Sequence, residues 1–249
     1  MIRLTAAELR RLVQPRSGRI LLAVCVALVA LVLVLQAGRD QQPSLVHDLR
    51  GGLTGVGMAL VFVAVAAGAS VISRDIASGA LVMLLTWEPR RTRVVLGKAL
   101  AVAAGSAMVA SGVTAALVAG LAMSSLLGGD ERAVDAAWLA ARASQLGFLL
   151  VGIAAAGFVG AALTFVTRST ALTISLFVLL YLVGERALEE VASGAAAWAP
   201  AGLIVHVASS GTGFFRLDVA NSTAAWRTLA AAGVVALVAV LVFRRCEPR

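Results

Sequence analysis

The stretch GGLTGVGMALVFVAVAAGASVIS, residues Gly51–Ser73, runs 23 positions without an Asp, Glu, Lys, Arg or His and is closed by Arg50 on one side and Arg74 on the other. A helix rises about 1.5 Å per residue and bilayer hydrocarbon is about 30 Å thick, so about 20 apolar residues suffice to cross it. This segment is long enough. The chain around it has the same character: of 249 residues 60% are hydrophobic and 14% charged, against roughly 45–50% and about 25% in soluble domains. The mean hydropathy is +0.95. A soluble monomer is excluded. Cys25 lies in an apolar run and Cys246 beside terminal arginines, so neither a disulfide framework nor a Cys-rich zinc site is available.

Outward from that stretch, the charge-free windows are Ile20–Gly38, Ala99–Gly129, Ala143–Thr167, Ser169–Gly184, Val191–Phe215 and Thr228–Phe243. Val191–Phe215 is unlike the others, with Pro200, His206 and the run Ser209-Ser210-Gly211-Thr212-Gly213. Lipid-exposed backbone must be helical throughout, so this broken segment fits better as a re-entrant hairpin packed on protein. The expected fold is therefore an all-α polytopic membrane protein, one domain over 1–249. Its six spans fall at 20–38, 51–73, 99–127, 144–167, 169–188 and 228–243. The external re-entrant segment is 191–215, between spans five and six.

Basic residues set the sidedness, because short cytoplasmic loops carry the excess of Lys and Arg. With six spans, one side collects Arg3, Arg10, Arg11, Arg16 and Arg19, then Arg74, Arg90, Arg91, Arg93 and Lys98, then Arg168, Arg244, Arg245 and Arg249. The other side holds half as many, outnumbered there by acids such as Asp40, Asp48, Asp130, Glu131 and Glu185. Both termini are expected in the cytoplasm. Residues 1–19 place Ile2, Ala6, Leu9 and Val13 at helical spacing with Arg3, Arg10 and Arg11 on the other face. That pattern predicts an amphipathic helix lying in the interface on membrane lipid. The net charge of +8 rests on basic residues that flank apolar runs without interleaved aromatics, so nucleic acid is not an expected partner.

No ionisable residue falls inside the charge-free windows assigned to the six spans, the fifth of which ends at Gly184 ahead of Glu185 and Arg186, and this removes support from a proton or ion relay in mid-membrane. A nucleotide site is absent too. The nearest approach to a P-loop, Thr92-Arg93-Val94-Val95-Leu96-Gly97-Lys98-Ala99, lacks the first glycine and the Mg²⁺-binding hydroxyl. His206 with Ser209 and Ser210 lacks a third partner and reads as a polar loop, and His47 with His206 makes no metal cluster. Small residues four apart, Gly51/Gly55, Gly152/Ala156 and Gly157/Ala161, permit close helix approach or arise by chance in so Ala/Gly-rich a chain.

The segment between spans two and three, residues 74–98, is long enough for structure of its own. Past Gly79, Leu81, Leu84 and Leu85 recur at helical spacing, Pro89 ends the helix and a basic cluster follows. The ordered residues Asp75, Gly79, Leu81, Leu84, Leu85, Pro89, Arg90, Arg91, Gly97 and Lys98 resemble the type-2 ABC exporter permeases (ABC-2 membrane subunits). Their corresponding loop reads acid-x-x-x-Gly-Thr-Leu-x-x-Leu-Leu, then Pro, Arg and Gly-Lys. Ala80 stands where Thr is usual, and Trp87-Glu88 lengthens the run before Pro89. The short basic turn at Arg168, the Trp198/Pro200 external segment and Phe243-Arg244-Arg245 extend the resemblance over nearly the whole chain.

The resemblance implies that the loop forms a coupling helix docked on an ATPase subunit, with Leu81, Leu84, Leu85 and Trp87 as the apolar contact. Asp75, Glu88, Arg90, Arg91 and Arg93 form the polar rim. It implies a non-catalytic subunit with no cofactor of its own. Two ATPase subunits bind ATP and Mg²⁺, and a second permease chain, identical or a paralogue, completes a pathway through a bacterial cytoplasmic membrane. The mostly apolar composition suits amphiphilic drugs, lipids or hydrophobic peptides. Met58, Phe62, Phe148, Phe158, Phe165 and Phe177 either line that pathway or pack. A secondary transporter driven by an ion gradient and a non-transporting partner or sensor subunit are the alternative readings.

Overall fold

The computed structural model describes residues 45–87, 90–128, 136–184, 190, 199–209 and 220–245. The expected interfacial helix (1–19) and first span (20–38) lie outside these residues, as do Glu88, Pro89, 185–188, 191–198 and 210–215. What is described is almost entirely helical, with no strand among the described residues. The elements are α1 (Leu45–Ala77), α2 (Ala80–Trp87), α3 (Arg91–Gly128), α4 (Ala136–Thr167) and α5 (Thr170–Leu179), whose last turn continues as a π-helix over Leu180–Gly184. Then come α6 (Pro200–Ala208) and α7 (Asn221–Arg245).

Four of these helices are long and apolar enough to cross a membrane, through Thr54–Ala77, Arg91–Ala119, Ala140–Thr167 and Ser222–Phe243. A fifth apolar stretch, Thr170–Val183, is shorter. The chain is thus a helical protein with the spans of a membrane protein. α1, at 33 residues, is about 50 Å long.

The helices run past the charges that bound the windows. α1 continues four residues beyond Ser73, α3 starts eight before Ala99, α4 starts at Ala136 and α7 at Asn221. The helices therefore extend beyond the expected span bounds 51–73, 99–127, 144–167 and 228–243, and within 74–98 the non-helical connections are the short ones on either side of α2. A charge ends an apolar window but does not end a helix: Arg142, which closes the fourth window, is half-buried and donates to the Gln145 side chain three residues on.

α4 is the central element, packed against α1, α3, α5, α6 and α7. The main core joins Val56, Leu60 and Val61 of α1, Leu117 of α3, Leu149, Ile153 and Val159 of α4, Phe177 of α5 and Ile204 of α6. Two contacts define one end of the bundle. The hydroxyls of Ser73 and Thr170 are 2.5 Å apart, and Arg91 Nη1 donates to the carbonyl oxygen of Phe243 at 3.2 Å. The end of α1, the start of α3, the α4–α5 turn and the end of α7 therefore meet there. In that turn Arg168 adopts φ 57°, and Ser169 caps α5 by accepting from the Leu172 N–H.

α6 lies toward the opposite end, where its last residue, Ala208, abuts Gly57 of α1 and Gly152 of α4. At 9 residues it is about 13 Å long, far short of a span. Residues Ala201–Ser209 are all buried. Within the expected segment 191–215 the described part is therefore a short helix enclosed by protein, opened by Pro200 at its first turn.

Candidate functional site

α2 bridges the ends of α1 and α3 at the end of the bundle that carries Arg74, Arg90, Arg91, Arg93, Lys98, Arg168 and Arg245. Gly79 makes the turn into it. With φ +70° it takes a conformation that costs other L-residues about 1–2 kcal/mol. Its carbonyl accepts the N–H groups of Val82 and Met83, at 3.0 and 3.2 Å, as the first turn of α2 forms. At eight residues the helix is too short to be stable alone, so packing must hold it.

That packing sorts its side chains into two faces. Leu81 is buried, and Leu84 and Leu85 are half-buried against Ile72 of α1 and Val94 and Val95 of α3, in a cluster that also takes in Phe165, Ala239 and Val240. The opposite face carries Val82 (52% exposed), Met83 (69%) and Trp87 (85%). Thr86 lies among them, its hydroxyl donating back to the Met83 carbonyl at 2.6 Å. This outer face is thus apolar in effect, with a large flat aromatic at its edge.

The expected apolar contact accordingly divides. Trp87 is outward; Leu81, Leu84 and Leu85 are the side chains that seat α2 on its own bundle. The sequence reading missed Val82 and Met83. In a run as uniformly apolar as Ala80–Leu85, spacing marks a stripe but not which stripe faces in, and Trp87 next to charged neighbours is the one local signal of an outer face.

The expected rim divides as well. Arg90 and Arg93 are exposed and Arg74 joins them. Arg91 is half-buried, bonded to the Phe243 carbonyl with its guanidinium 6.0 Å from that ring's centre. Asp75 lies inside, 4% exposed, and Lys98 Nζ donates to its Oδ2 at 2.6 Å. Glu88 and Pro89 fall outside the described residues. Both partners of the Asp75–Lys98 pair sit in long helices, so the absence of ionisable groups held only for the narrower windows. The P-loop-like run is a continuous part of α3 with Lys98 turned to Asp75.

Of the six candidate pathway residues, Met58, Phe62, Phe158 and Phe177 share the main core, Phe165 lies in the cluster under α2 and Phe148 packs on α6. Phe62 makes edge-on contacts with Phe177 (6.0 Å) and Tyr181 (5.9 Å), and Met58 packs on the same core. Phe165 is buried beneath α2 and meets Phe243 edge-on at 5.3 Å. Phe148 packs with Leu203 and Val207 of α6, and Phe158 touches both the main core and the cluster under α2. Phe165 and Phe177 are both buried. Ser209 Oγ donates to the backbone carbonyl of His206, at 3.4 Å, and Ser210 lies outside the described residues. Among the described residues no group of three or more His, Cys, Asp or Glu is placed to hold a metal ion. No protein-family model matches the chain, and no curated protein matches it in sequence.

Proposed function

We propose that the chain is the membrane subunit of an ATP-driven exporter, in which α2 transmits the closure of a separate ATPase to the bundle. One observation carries the reading: a short helix between two spanning helices turns Val82, Met83 and Trp87 away from its own core. Arg74, Arg90 and Arg93 stand exposed around it. A lipid-facing helix has reason to be apolar outside, but α2 sits beyond the ends of the spans, where an exposed apolar patch marks a binding surface. An outward tryptophan with an arginine rim is the composition of interface anchors. The positive-inside rule puts this end in the cytoplasm, where an ATPase is found.

The full assembly is two such chains, each of six spans including 20–38 and 169–188, and two ATPase subunits that supply the ATP and Mg²⁺ sites. It sits in the bacterial cytoplasmic membrane and moves an amphiphilic substrate by alternating access. The test is co-purification in nanodiscs with the ATPase encoded beside it, wild type against a Met83→Asp/Trp87→Asp variant. Binding and permease-dependent ATP hydrolysis that the variant loses support the reading. If the folded wild-type chain binds no ATPase, or the variant behaves as wild type, the proposal fails.

A further inference from the structure

We infer that the Asp75–Lys98 pair is a positioning element that holds the roots of α1 and α3 together beneath α2, so that force applied to α2 moves both spans as one body. The inference rests on the coupling role of α2 proposed above.

Both charges are buried, 4% and 3% exposed, and Nζ and Oδ2 are 2.6 Å apart across 23 positions of sequence. Asp75 follows Ile72 by three residues and Lys98 follows Val94 by four, so on each helix the charged residue continues the stripe on which α2 is seated. On α1, which runs toward α2, Asp75 lies one turn beyond Ile72 on the α2 side, and on α3, which runs away from α2, Lys98 lies one turn beyond Val94 on the far side. The ionic tie therefore crosses between the two helices alongside the apolar seat for Leu81, Leu84 and Leu85. Apolar packing is non-directional and lets helices slide, whereas a short charge-assisted hydrogen bond fixes their register. A buried ion pair is a poor source of stability, since well-packed apolar residues in its place are often as good or better. What it supplies instead is a defined geometry. α2 needs that, because a lever transmits motion only if both of its attachments are fixed to each other.

Two readouts test the inference. In the first, spin labels at Ala77→Cys and Leu100→Cys, with Cys25 and Cys246 replaced by serine, report the distance between the two roots in nanodiscs without any partner. Wild type should give one narrow distribution. Asp75→Asn, and the apolar pair Asp75→Leu/Lys98→Met that guards against a misfolded single variant, should broaden it. The swap Asp75→Lys/Lys98→Asp should narrow it again. An unbroadened distribution in both Asp75→Asn and the apolar pair overturns the inference.

In the second readout, the same variants are assembled with the ATPase. Asp75→Asn should keep its affinity for the ATPase while permease-dependent hydrolysis falls about tenfold, a size ordinary for coupling between distant sites, and the charge swap should recover it. Wild-type coupling in the apolar pair overturns the inference. Should wild type itself fail to bind the ATPase, the exporter reading falls, and the distance measurement still decides whether the pair fixes the two helices.

Discussion

Gly152 of α4 and Ala208 of α6 are in backbone contact: a Cβ at Gly152 would lie 2.8 Å from the Ala208 nitrogen, with no flexible side chain to give way. Gly57 of α1 meets the same residue, its Cβ position 2.6 Å from the Ala208 carbonyl oxygen. Ala208 is therefore held between two spanning helices, and the short helix that ends there is fixed by the absence of two side chains. Gly152→Val should destabilise the bundle by about 1–3 kcal/mol through overpacking. Gly147→Ala, with nothing within 4 Å of the added atom, should be neutral or gain up to about 1 kcal/mol of helix propensity. Unfolding in mixed micelles compares them, and equal effects would contradict the close approach.

The two faces of α2 make opposite predictions for the same substitution. Leu81→Asp puts a carboxylate into the seat of the helix and should cost about 2 kcal/mol or more. Trp87→Asp changes a side chain outside the core and should shift stability by no more than about 0.5 kcal/mol, while abolishing ATPase binding. Thermal unfolding and a binding assay on both variants separate seat from docking face. A destabilised Trp87→Asp would place that side chain in the core.

Gly79 tests backbone geometry alone, because the space around its missing side chain is open. Gly79→Val should still cost about 1–2 kcal/mol through its left-handed conformation and misdirect α2, reducing permease-dependent hydrolysis. Gly79→Asn, a residue that tolerates this region, should retain most of it. If valine and asparagine behave alike, the positive φ is not what the position requires.

Phe177 of α5 is fully buried and meets Phe62 of α1 edge-on, a ring that Tyr181 also contacts. Phe177→Ala should lower stability by about 3–5 kcal/mol, and the loss should be seen without any substrate present. A stable Phe177→Ala chain with altered substrate selection would return Phe177 to the pathway.

How far the amino-acid order reveals the molecule depends on the kind of contact involved. The apolar windows predict α1, α3, α4 and α7 because lipid demands length and hydrophobicity, which are properties of a segment by itself. Helix ends are less legible: Arg74, Asp75 and Lys98 look like the edge of a loop, and only a partner on another helix turns two of them into interior residues. The glycines show the same limit. Gly51/Gly55 and Gly152/Ala156 have one spacing, yet Gly55 faces open space while Gly152 touches α6. For the candidate site, Gly79, the helix after it and the outward Trp87 are legible, since turn chemistry and periodicity are local. The division of Leu81, Leu84 and Leu85 from Val82 and Met83 is not, because it depends on where Ile72, Val94 and Val95 stand.

The seat of α2 also sets an order of events during synthesis. Ala239, Val240 and Phe243 belong to the cluster that supports Leu81, and Arg91 is tied to the Phe243 carbonyl across 152 positions. A ribosome has made α2 long before it makes these partners. Until the last described helix has entered the membrane and packed, the cluster beneath α2 lacks one wall. Leu81, Leu84 and Leu85 therefore reach their full apolar seat only with that last helix in place.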